Sequence, residues 1–223
     1  MKTINNVATL TNVNGVGVIA INFPPVNALS ASVRDGIHGA MQAAIADPAI
    51  DAVVLRCEGS TFIAGADITE FGKPPAGVSL GEVQRILEES PKPVVAAIHG
   101  TALGGGLEVA LVCHYRIAVP TARLGLPEVN IGLLPGAGGT QRLPRIVGPE
   151  AALEMMTSGA HVRAKDALQS GLLDELAPED DLTGAAVALA RRVVDEKRPL
   201  RKIRDQNEKV EAARGQPEIF AKF

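Results

Sequence analysis

The feature that most constrains the fold is a set of short, almost wholly apolar runs, each followed by a loop and a helical pattern. Residues 53–57 and 94–98 are the clearest of these runs. A strand that does not alternate between apolar and polar residues is covered on both faces, as in parallel sheets packed between helices. The repeated order of strand, loop and helix therefore predicts an α/β fold.

Helical and turn signals separate these strands. Apolar residues recur at every fourth position from Leu29 to Ile45, and Asp47-Pro48 ends the pattern. The Ser-x-x-Glu sequence at residues 79–82 is a capping box that begins another helix. Further helices are predicted at residues 107–112, 149–158, 164–170 and 183–196, a strand at 115–119, and a type I′ hairpin at Asn14-Gly15.

Composition limits the classes of function. The chain has 223 residues, 46% of them hydrophobic and 21% charged, with a formal net charge of −3. This is enough for one globular domain or two small ones, and the lack of a basic field argues against a nucleic-acid partner. No apolar run reaches the roughly 18–20 residues of a membrane span, and the N-terminus lacks a signal-peptide pattern. We therefore expect neither a nucleic-acid nor a membrane partner.

Cysteines, histidines and one glycine motif give no cofactor signal. Cys57 and Cys113 do not begin a CxxC motif, so we expect reduced core thiols in a cytosol-like compartment. The four histidines lack ligand spacing, and no metal site is predicted. Residues 15–20 match the G-x-G-x-x-A dinucleotide fingerprint, but they lie in a hairpin pattern and open no helix, so no NAD site is expected there.

A glycine run leads into a helix whose first turn carries a carboxylate. Gly104-Gly105-Gly106 precede Leu107-Glu108, and a helix N-terminus leaves N–H groups unpaired beside a partial positive charge. Glycine lets a ligand approach closely, so the Gly105 N–H is a candidate oxyanion donor and Glu108 a candidate proton-transfer group. The alternative is an ordinary first-turn glutamate stabilised by the helix dipole, with the glycines serving close packing.

Two other segments would complete such a site. Residues 64–68 are small and turn-prone, so the Ala66 N–H can reach the same oxygen, and two donors make an oxyanion hole. The alternative is an ordinary turn capped by Asp67. Glu128 lies in Leu-Pro-Glu-Val at residues 126–129, where apolar neighbours would desolvate it and let it hold a proton near neutral pH. Its alternative is a solvent-facing loop position.

Three motifs, in this order and spacing, resemble those of the enoyl-CoA hydratase/isomerase (crotonase) family. They are Phe-Ile-Ala-Gly-Ala-Asp-Ile at residues 62–68, His-Gly-Thr-Ala-Leu-Gly-Gly-Gly-Leu-Glu at 99–108, and the run from Leu-Pro-Glu-Val-Asn to Arg-Leu-Pro-Arg at 126–145. Residues 24–29 also fit the family's early motif. Cys-His-Tyr-Arg at 113–116 is most similar to the N-terminal hydratase/isomerase part of peroxisomal-type bifunctional β-oxidation enzymes, in which a 3-hydroxyacyl-CoA dehydrogenase follows.

The resemblance implies a crotonase (ClpP-like) fold, in which repeated β-β-α units form a spiral core followed by C-terminal helices. We expect residues 1–190 to form this core and residues 191–223 a C-terminal helical segment. Residues 197–214 are highly charged, and two of the five phenylalanines lie in the last four residues. This ending indicates either a chain cut from a longer one, with a fused dehydrogenase domain, or packing against a partner subunit, as in a homotrimer.

The resemblance also implies an activity, that of an enoyl-CoA hydratase (a lyase) of fatty-acid β-oxidation with additional 3-enoyl to 2-enoyl-CoA isomerase activity. The N–H groups of Ala66 and Gly105 would form the oxyanion hole, and Glu108 and Glu128 would be the catalytic carboxylates. Coenzyme A is part of the acyl-CoA substrate, so no separate cofactor is expected. The location would be cytoplasmic, or peroxisomal if the parent protein is eukaryotic.

Binding of the CoA part is implied less completely. The backbone of Ala64, Ala66, Asp67 and Ile68 would hold the adenine. Ser60-Thr61 stand where family members often carry a basic residue near the CoA phosphates, which leaves Lys73 and Arg56 as candidates. The alternative to an enzyme is a catalytically impaired CoA-binding or assembly domain of a bifunctional hydratase/3-hydroxyacyl-CoA dehydrogenase.

Overall fold

The structure is a computed structural model that describes residues 1–70 and 72–223. Its strands are β1 Lys2–Thr3, β2 Ala8–Val13, β3 Val16–Ile21, β4 Ala52–Cys57, β5 Val94–Ile98, β6 Thr101–Leu103, β7 Tyr115–Ala118, β8 Arg123–Gly125, β9 Val162–Arg163 and β10 Glu175–Leu176. Its α-helices are α1 Ala31–Ala46, α2 Leu80–Glu88, α3 Gly105–Val112, α4 Gly139–Val147, α5 Pro149–Ser158, α6 Ala164–Ser170, α7 Leu182–Asp195 and α8 Glu208–Ala212. Short 3₁₀ turns cover Ile68–Glu70, Pro127–Ile131, Ile203–Asp205 and Pro217–Lys222.

The larger sheet has the strand order β1-β2-β3-β4-β5-β7-β10. The pairs from β3 through β4, β5 and β7 to β10 are parallel, whereas β1, β2 and β3 are antiparallel. Val54 and Val95 face a cluster that includes Leu189 of α7, while Val53 and Leu55 belong to the main core on the other face. Both faces are covered, which confirms the α/β interpretation of the apolar runs.

A repeated β-β-α arrangement links the larger sheet to a smaller one of order β6-β8-β9. β5 lies in the larger sheet, β6 in the smaller one, and α3 follows; β7 and β8 divide between the sheets in the same way. After β4, Ile63 forms a parallel bridge with Ala102 of β6 before the chain enters α2. Each unit therefore advances by one position along both sheets, and this is the spiral core that the motifs imply.

Local signals place the helices and the hairpin as predicted. Ser79 caps α2 and exchanges hydrogen bonds with Glu82 in a complete capping box. At the tip of the β2–β3 hairpin, Asn14 and Gly15 have φ angles of 52° and 82°, which suit a type I′ turn. Ser30 caps α1, and short-range sequence chemistry therefore decides where these elements begin.

The C-terminal segment is made of short helical pieces. Residue 190, where the core was expected to end, lies within α7, which packs on the larger sheet. Residues 197–214 form the 3₁₀ turn Ile203–Asp205 and the short helix α8. Ile203 is buried, and ion pairs hold the segment to the core, among them Arg201 with Asp174 and Lys202 with Glu89.

A close backbone approach fixes α3 against the loop that follows β4. A Cβ on Gly106 would lie 2.1 Å from the Ile63 carbonyl oxygen. The Leu103 N–H donates to that same oxygen at 3.1 Å, so neither segment can retreat without losing the pairing. Glycine at position 106 is therefore required by packing rather than by its own backbone angles.

Gly106→Ala should destabilise the protein by about 3 kcal/mol or more, because the methyl group meets a fixed backbone oxygen. Gly81→Ala in α2 is the matched control, since its Cβ would meet only Ser79 Oγ, at 4.0 Å. The control should be neutral or slightly more stable, because alanine favours helix. Urea denaturation measures both variants. Equal free energies of unfolding for the two would contradict the close-packing account.

Candidate active site

The four residues singled out as reactive line one cavity of about 940 Å³. Ala66 comes from the loop after β4, Gly105 from the start of α3, Glu108 from the first turn of α3, and Glu128 from the turn Pro127–Ile131. They are separated by up to 62 residues in sequence (128 − 66). The fold thus brings together the groups that the sequence only suggested could meet.

The two candidate N–H donors lie side by side. The Leu29 N–H donates to the Gly65 carbonyl at 2.9 Å and holds the Ala66 loop in place. A Cβ on Gly105 would lie 3.8 Å from the Ala66 nitrogen. Within the described part of the chain, neither the Ala66 nor the Gly105 N–H donates to a protein oxygen. Both donors are therefore available to a ligand in the cavity.

Glu108 is buried and held through one oxygen. Its residue surface is only 3% exposed, and Oε1 accepts the N–H groups of Ala137 and Gly139, each at 2.8 Å. Burial raises the pKa of Glu108, while these two N–H groups and the nearby Arg142 oppose the rise. The N–H groups belong to the beginning of α4, where the helix dipole also favours an anion. Oε2 is left free of these contacts.

Glu128 has a different environment. Its Oε2 is buried and has no hydrogen-bond partner among the described residues, and its Oε1 lies 3.1 Å from where a Cβ on Gly104 would be. Burial is the main cause that raises the pKa of Glu128, and the Glu108 carboxylate adds to it. Its own backbone N–H opposes this rise, and the carboxyl group lies beside Gly104, at the N-terminus of α3.

The four residues expected to bind CoA divide into two groups. Ala64, Ala66 and Ile68 line the cavity. Asp67 is only partly exposed and does not line the cavity, and its Oδ1 accepts the Thr69 N–H and hydroxyl at 2.9 and 2.8 Å, which matches the capping alternative. Of the two candidates for the phosphates, Arg56 pairs with Glu58 and lines a separate cavity.

Several contacting residues were not singled out from the sequence. Gln84 of α2 donates to the Ala137 carbonyl at 2.7 Å and so holds the loop that binds Glu108. Arg142 of α4 lines the cavity as well. The repeated glycines at 136–139, which lead into a helix, were the available signal for the donors to Glu108, because the same pattern precedes Glu108 itself.

The rim of the cavity is apolar. Ile68, Ile131, Leu133 and Leu134 line the cavity and are substantially exposed, Leu134 at 76%. Ile131, Leu133 and Leu134 belong to the 3₁₀ turn after β8 and the residues that follow it, and Ile68 belongs to the segment after β4. A ligand with a hydrocarbon part would bury this surface and gain free energy from doing so.

Two further observations bear on the chemistry. In residues 1–70 and 72–223, no three His, Cys, Asp or Glu side chains are grouped so as to hold a metal ion. Both cysteines are free and buried, as expected for core thiols, and burial raises the pKa of Cys113 to about 12. None of the helices formed by the described residues has the length and hydropathy that a membrane span requires.

Comparisons with known proteins agree with this architecture. The profile of the enoyl-CoA hydratase/isomerase family matches residues 11–217. The zebrafish peroxisomal bifunctional enzyme is 53% identical over 165 residues, 74% of this chain and 23% of its own length. A probable enoyl-CoA hydratase from Bacillus subtilis is 43% identical over 188 residues, 81% of this chain and 73% of the relative.

A solved structure resembles the whole chain. The enoyl-CoA hydratase subunit I from Geobacillus kaustophilus superposes with a TM-score of 0.79 at 33% identity, covering 98% of this chain and 87% of that one. The architecture is the crotonase fold. Because the family profile covers most of its length, the chain belongs to the enoyl-CoA hydratase/isomerase family. It spans less than a third of the length of the bifunctional relatives that it matches.

Glu128→Gln should stabilise the protein at neutral pH, by about 1 kcal/mol, because it removes a half-buried negative charge that lies near the Glu108 carboxylate. A carboxyl whose pKa is raised by folding binds its proton more tightly in the folded state. Stability is therefore lost as the pH rises from the unfolded pKa, about 4.5, through the folded one. The difference from the parent should vanish near pH 3.

Urea denaturation at acidic and neutral pH tests this expectation. Glu154→Gln, on the exposed side of α5, is the matched control and should change stability little at either pH. A gain in Glu128→Gln that is equal at both pH values would show that ionisation of Glu128 is not its cause.

Proposed function

We propose that this chain is an enoyl-CoA hydratase, which adds water across the 2,3 double bond of a 2-enoyl-CoA to give a 3-hydroxyacyl-CoA in fatty-acid β-oxidation. The observation that carries the proposal is the meeting, in one cavity, of two amide N–H groups without partners among the described residues, the buried carboxyl of Glu108 and the half-buried carboxyl of Glu128. The family to which the chain belongs and the names of its relatives support it.

The amide pair supplies the electrophilic half of the reaction. With the thioester oxygen between the N–H groups of Ala66 and Gly105, negative charge that develops on this oxygen is stabilised by two donors and by the N-terminus of α3. Both residues line the cavity, and neither N–H donates to an oxygen of the described residues. Their stabilisation therefore needs no rearrangement of other hydrogen bonds when the enolate forms.

The carboxyl pair moves the protons. Water bound between the two groups attacks C3, and Oε2 of Glu108 takes the proton that the water loses. The π electrons move toward C2 and the thioester oxygen, and Glu128, protonated, delivers a proton to C2. Glu108 suits the base because two N–H groups and Arg142 favour its anion. Glu128 suits the acid because burial and Glu108 favour its protonated form.

A second activity is favoured by the environment of Glu128. Isomerisation of a 3-enoyl-CoA to a 2-enoyl-CoA removes a proton at C2 and returns one at C4, which one carboxyl group can do alone. Glu128 has a buried oxygen without a partner in the described structure, so it can exchange a proton with the substrate without breaking protein contacts. We propose that hydration needs both glutamates and isomerisation needs Glu128.

The binding-only alternative has less support. A non-catalytic CoA-binding or assembly module needs no carboxylates in its cavity, and burying them costs free energy. Glu108 is nevertheless almost fully buried, on donors that fit it. Retention of this costly arrangement favours an enzyme.

Context and partners follow the named relatives. We propose acyl-CoA thioesters as the substrates, without a separate cofactor, and a dehydrogenase domain in the parent protein like that of a bifunctional enzyme. A homotrimer remains the alternative assembly. Peroxisomal and glyoxysomal relatives support a peroxisomal location for a eukaryotic parent, and we propose the cytoplasm for a bacterial one.

Glu108→Gln should lower the hydration of crotonyl-CoA by about 10³-fold or more, because the base that accepts the water proton is lost. The loss of absorbance of the conjugated thioester measures the rate. Glu154→Gln serves as the matched control and should retain full activity. Full hydration by a folded Glu108→Gln variant would exclude the hydratase mechanism.

Isomerisation of 3-hexenoyl-CoA should separate the two glutamates. Glu108→Gln should keep most of this activity, whereas Glu128→Gln should lose it by about 10²-fold or more. The rise in absorbance of the conjugated thioester product measures the reaction, and no other hydratase is added to the assay. Equal loss of isomerisation in both variants would contradict the division of roles.

A further inference from the structure

Arg142 is a largely buried positive charge that lines the cavity and moves no proton in the proposed reaction. It lies on α4, lines the cavity, and donates from Nε and Nη2 to the two carboxylate oxygens of Glu88 at 3.0 and 3.1 Å. The side chain of Glu88, the last residue of α2, is only 3% exposed. A two-point contact of this kind fixes the plane of the guanidinium group.

A residue of the C-terminal segment also contacts the Arg142–Glu88 ion pair. Arg204, in the 3₁₀ turn Ile203–Asp205, donates to Oε2 of Glu88 at 3.1 Å. Arg204 also pairs with Glu89, the residue that follows α2. Glu88 thus accepts from arginines on two separate elements, which satisfies a buried carboxylate that would otherwise be costly.

Arg142 and Glu108 lie over neighbouring glycines. Nη1 of Arg142 would be 2.2 Å from a Cβ on Gly138, and Oε1 of Glu108 would be 3.0 Å from a Cβ on Gly139. The backbone N–H of Arg142 also donates to the Gly138 carbonyl at 2.9 Å, in the first turn of α4. The guanidinium group therefore lies beside the loop whose N–H groups hold Glu108, while its ion-pair partner is Glu88.

We propose, resting on the hydratase function proposed above, that Arg142 is a positioning residue which keeps Glu108 ionised and seated on the 137–139 loop for proton transfer. Glu88, braced by Arg204, holds the guanidinium group in place. Gln84, one helical turn before Glu88 on the same face of α2, fixes the Ala137 end of that loop. Residues on one face of α2 thus position Glu108 indirectly, through α4 and the 137–139 loop.

The charges that face Glu108 determine the direction of each test. Glu128 faces it from the turn Pro127–Ile131, Arg142 from α4, and Glu88 lies behind Arg142 on α2. Burial raises the pKa of Glu108 and Arg142 lowers it. Removing the guanidinium group must therefore raise this pKa, and removing Glu88, which holds that group in place, must raise it to a smaller extent.

Arg142→Gln is the first test. The pKa of Glu108, followed by NMR of protein labelled with ¹³C at the glutamate carboxyl and assigned with Glu108→Gln, should rise by about 0.5–1 unit. The acidic limb of kcat/KM for crotonyl-CoA should move upward with it, with kcat falling about tenfold and KM changing little. Arg142→Lys keeps the positive charge but loses the two-point contact with Glu88. Its Glu108 pKa should therefore lie closer to the wild-type value than its kcat does.

Glu88→Gln tests the anchor: because the guanidinium group loses its two-point contact, the Glu108 titration should move to higher pH, by less than in Arg142→Gln. If this variant does not fold, Arg142→Gln decides alone. Arg191→Gln is the matched control. Arg191 lies on α7, does not line the cavity, and pairs with Asp51, just before β4, and with Asp195 of α7. It should leave both the titration and the rate profile unchanged.

The outcomes separate this proposal from the proposed function. An unchanged Glu108 titration in folded Arg142→Gln, or an equal shift in Arg191→Gln, overturns the role of Arg142. Absence of hydration by the unaltered chain counts against the hydratase function instead, and the NMR titration still decides whether Arg142 controls Glu108.

Discussion

The close approach of two backbone segments, the glycine run before α3 and the loop after β4, is the constraint on which the site depends. A Cβ would lie 2.1 Å from the Ile63 oxygen if placed on Gly106, and 2.0 Å from the Ser60 oxygen if placed on Gly100. Any side chain at these positions would push the loop away. With the loop in place, the amides of Ala66 and Gly105 become neighbours, and a helix end becomes a site with two donors.

The same cavity holds two glutamates in unlike surroundings. Glu108 accepts two N–H groups on Oε1, whereas Oε2 of Glu128 is buried with no partner in the described residues. Identical side chains thus differ in how well the protein supports their negative charge. In the proposed hydration, this difference in hydrogen bonding, rather than the presence of two carboxylates alone, would let one group act as base and the other as acid.

Much of the architecture could be predicted because local chemistry determines it. The apolar runs required cover on both faces, the capping box at Ser79 and Glu82 began α2, and Asn14-Gly15 turned the hairpin. The four reactive residues could be named because their motifs resemble those of a known family. For Asp67 the resemblance implied a role of the backbone, and the side chain separately caps a turn.

The sequence by itself determined the strands, the main helices and the types of residue available for chemistry, because these depend on periodicity, caps and turn residues within a few positions. Only the tertiary structure decided which groups surround Glu108 and set its protonation state. The Gly139 N–H lies 31 residues from it, and the Arg142–Glu88 pair joins residues 54 apart. Such contacts arise when helices pack on the spiral core, and no local pattern in the chain specifies the partner that packing brings near.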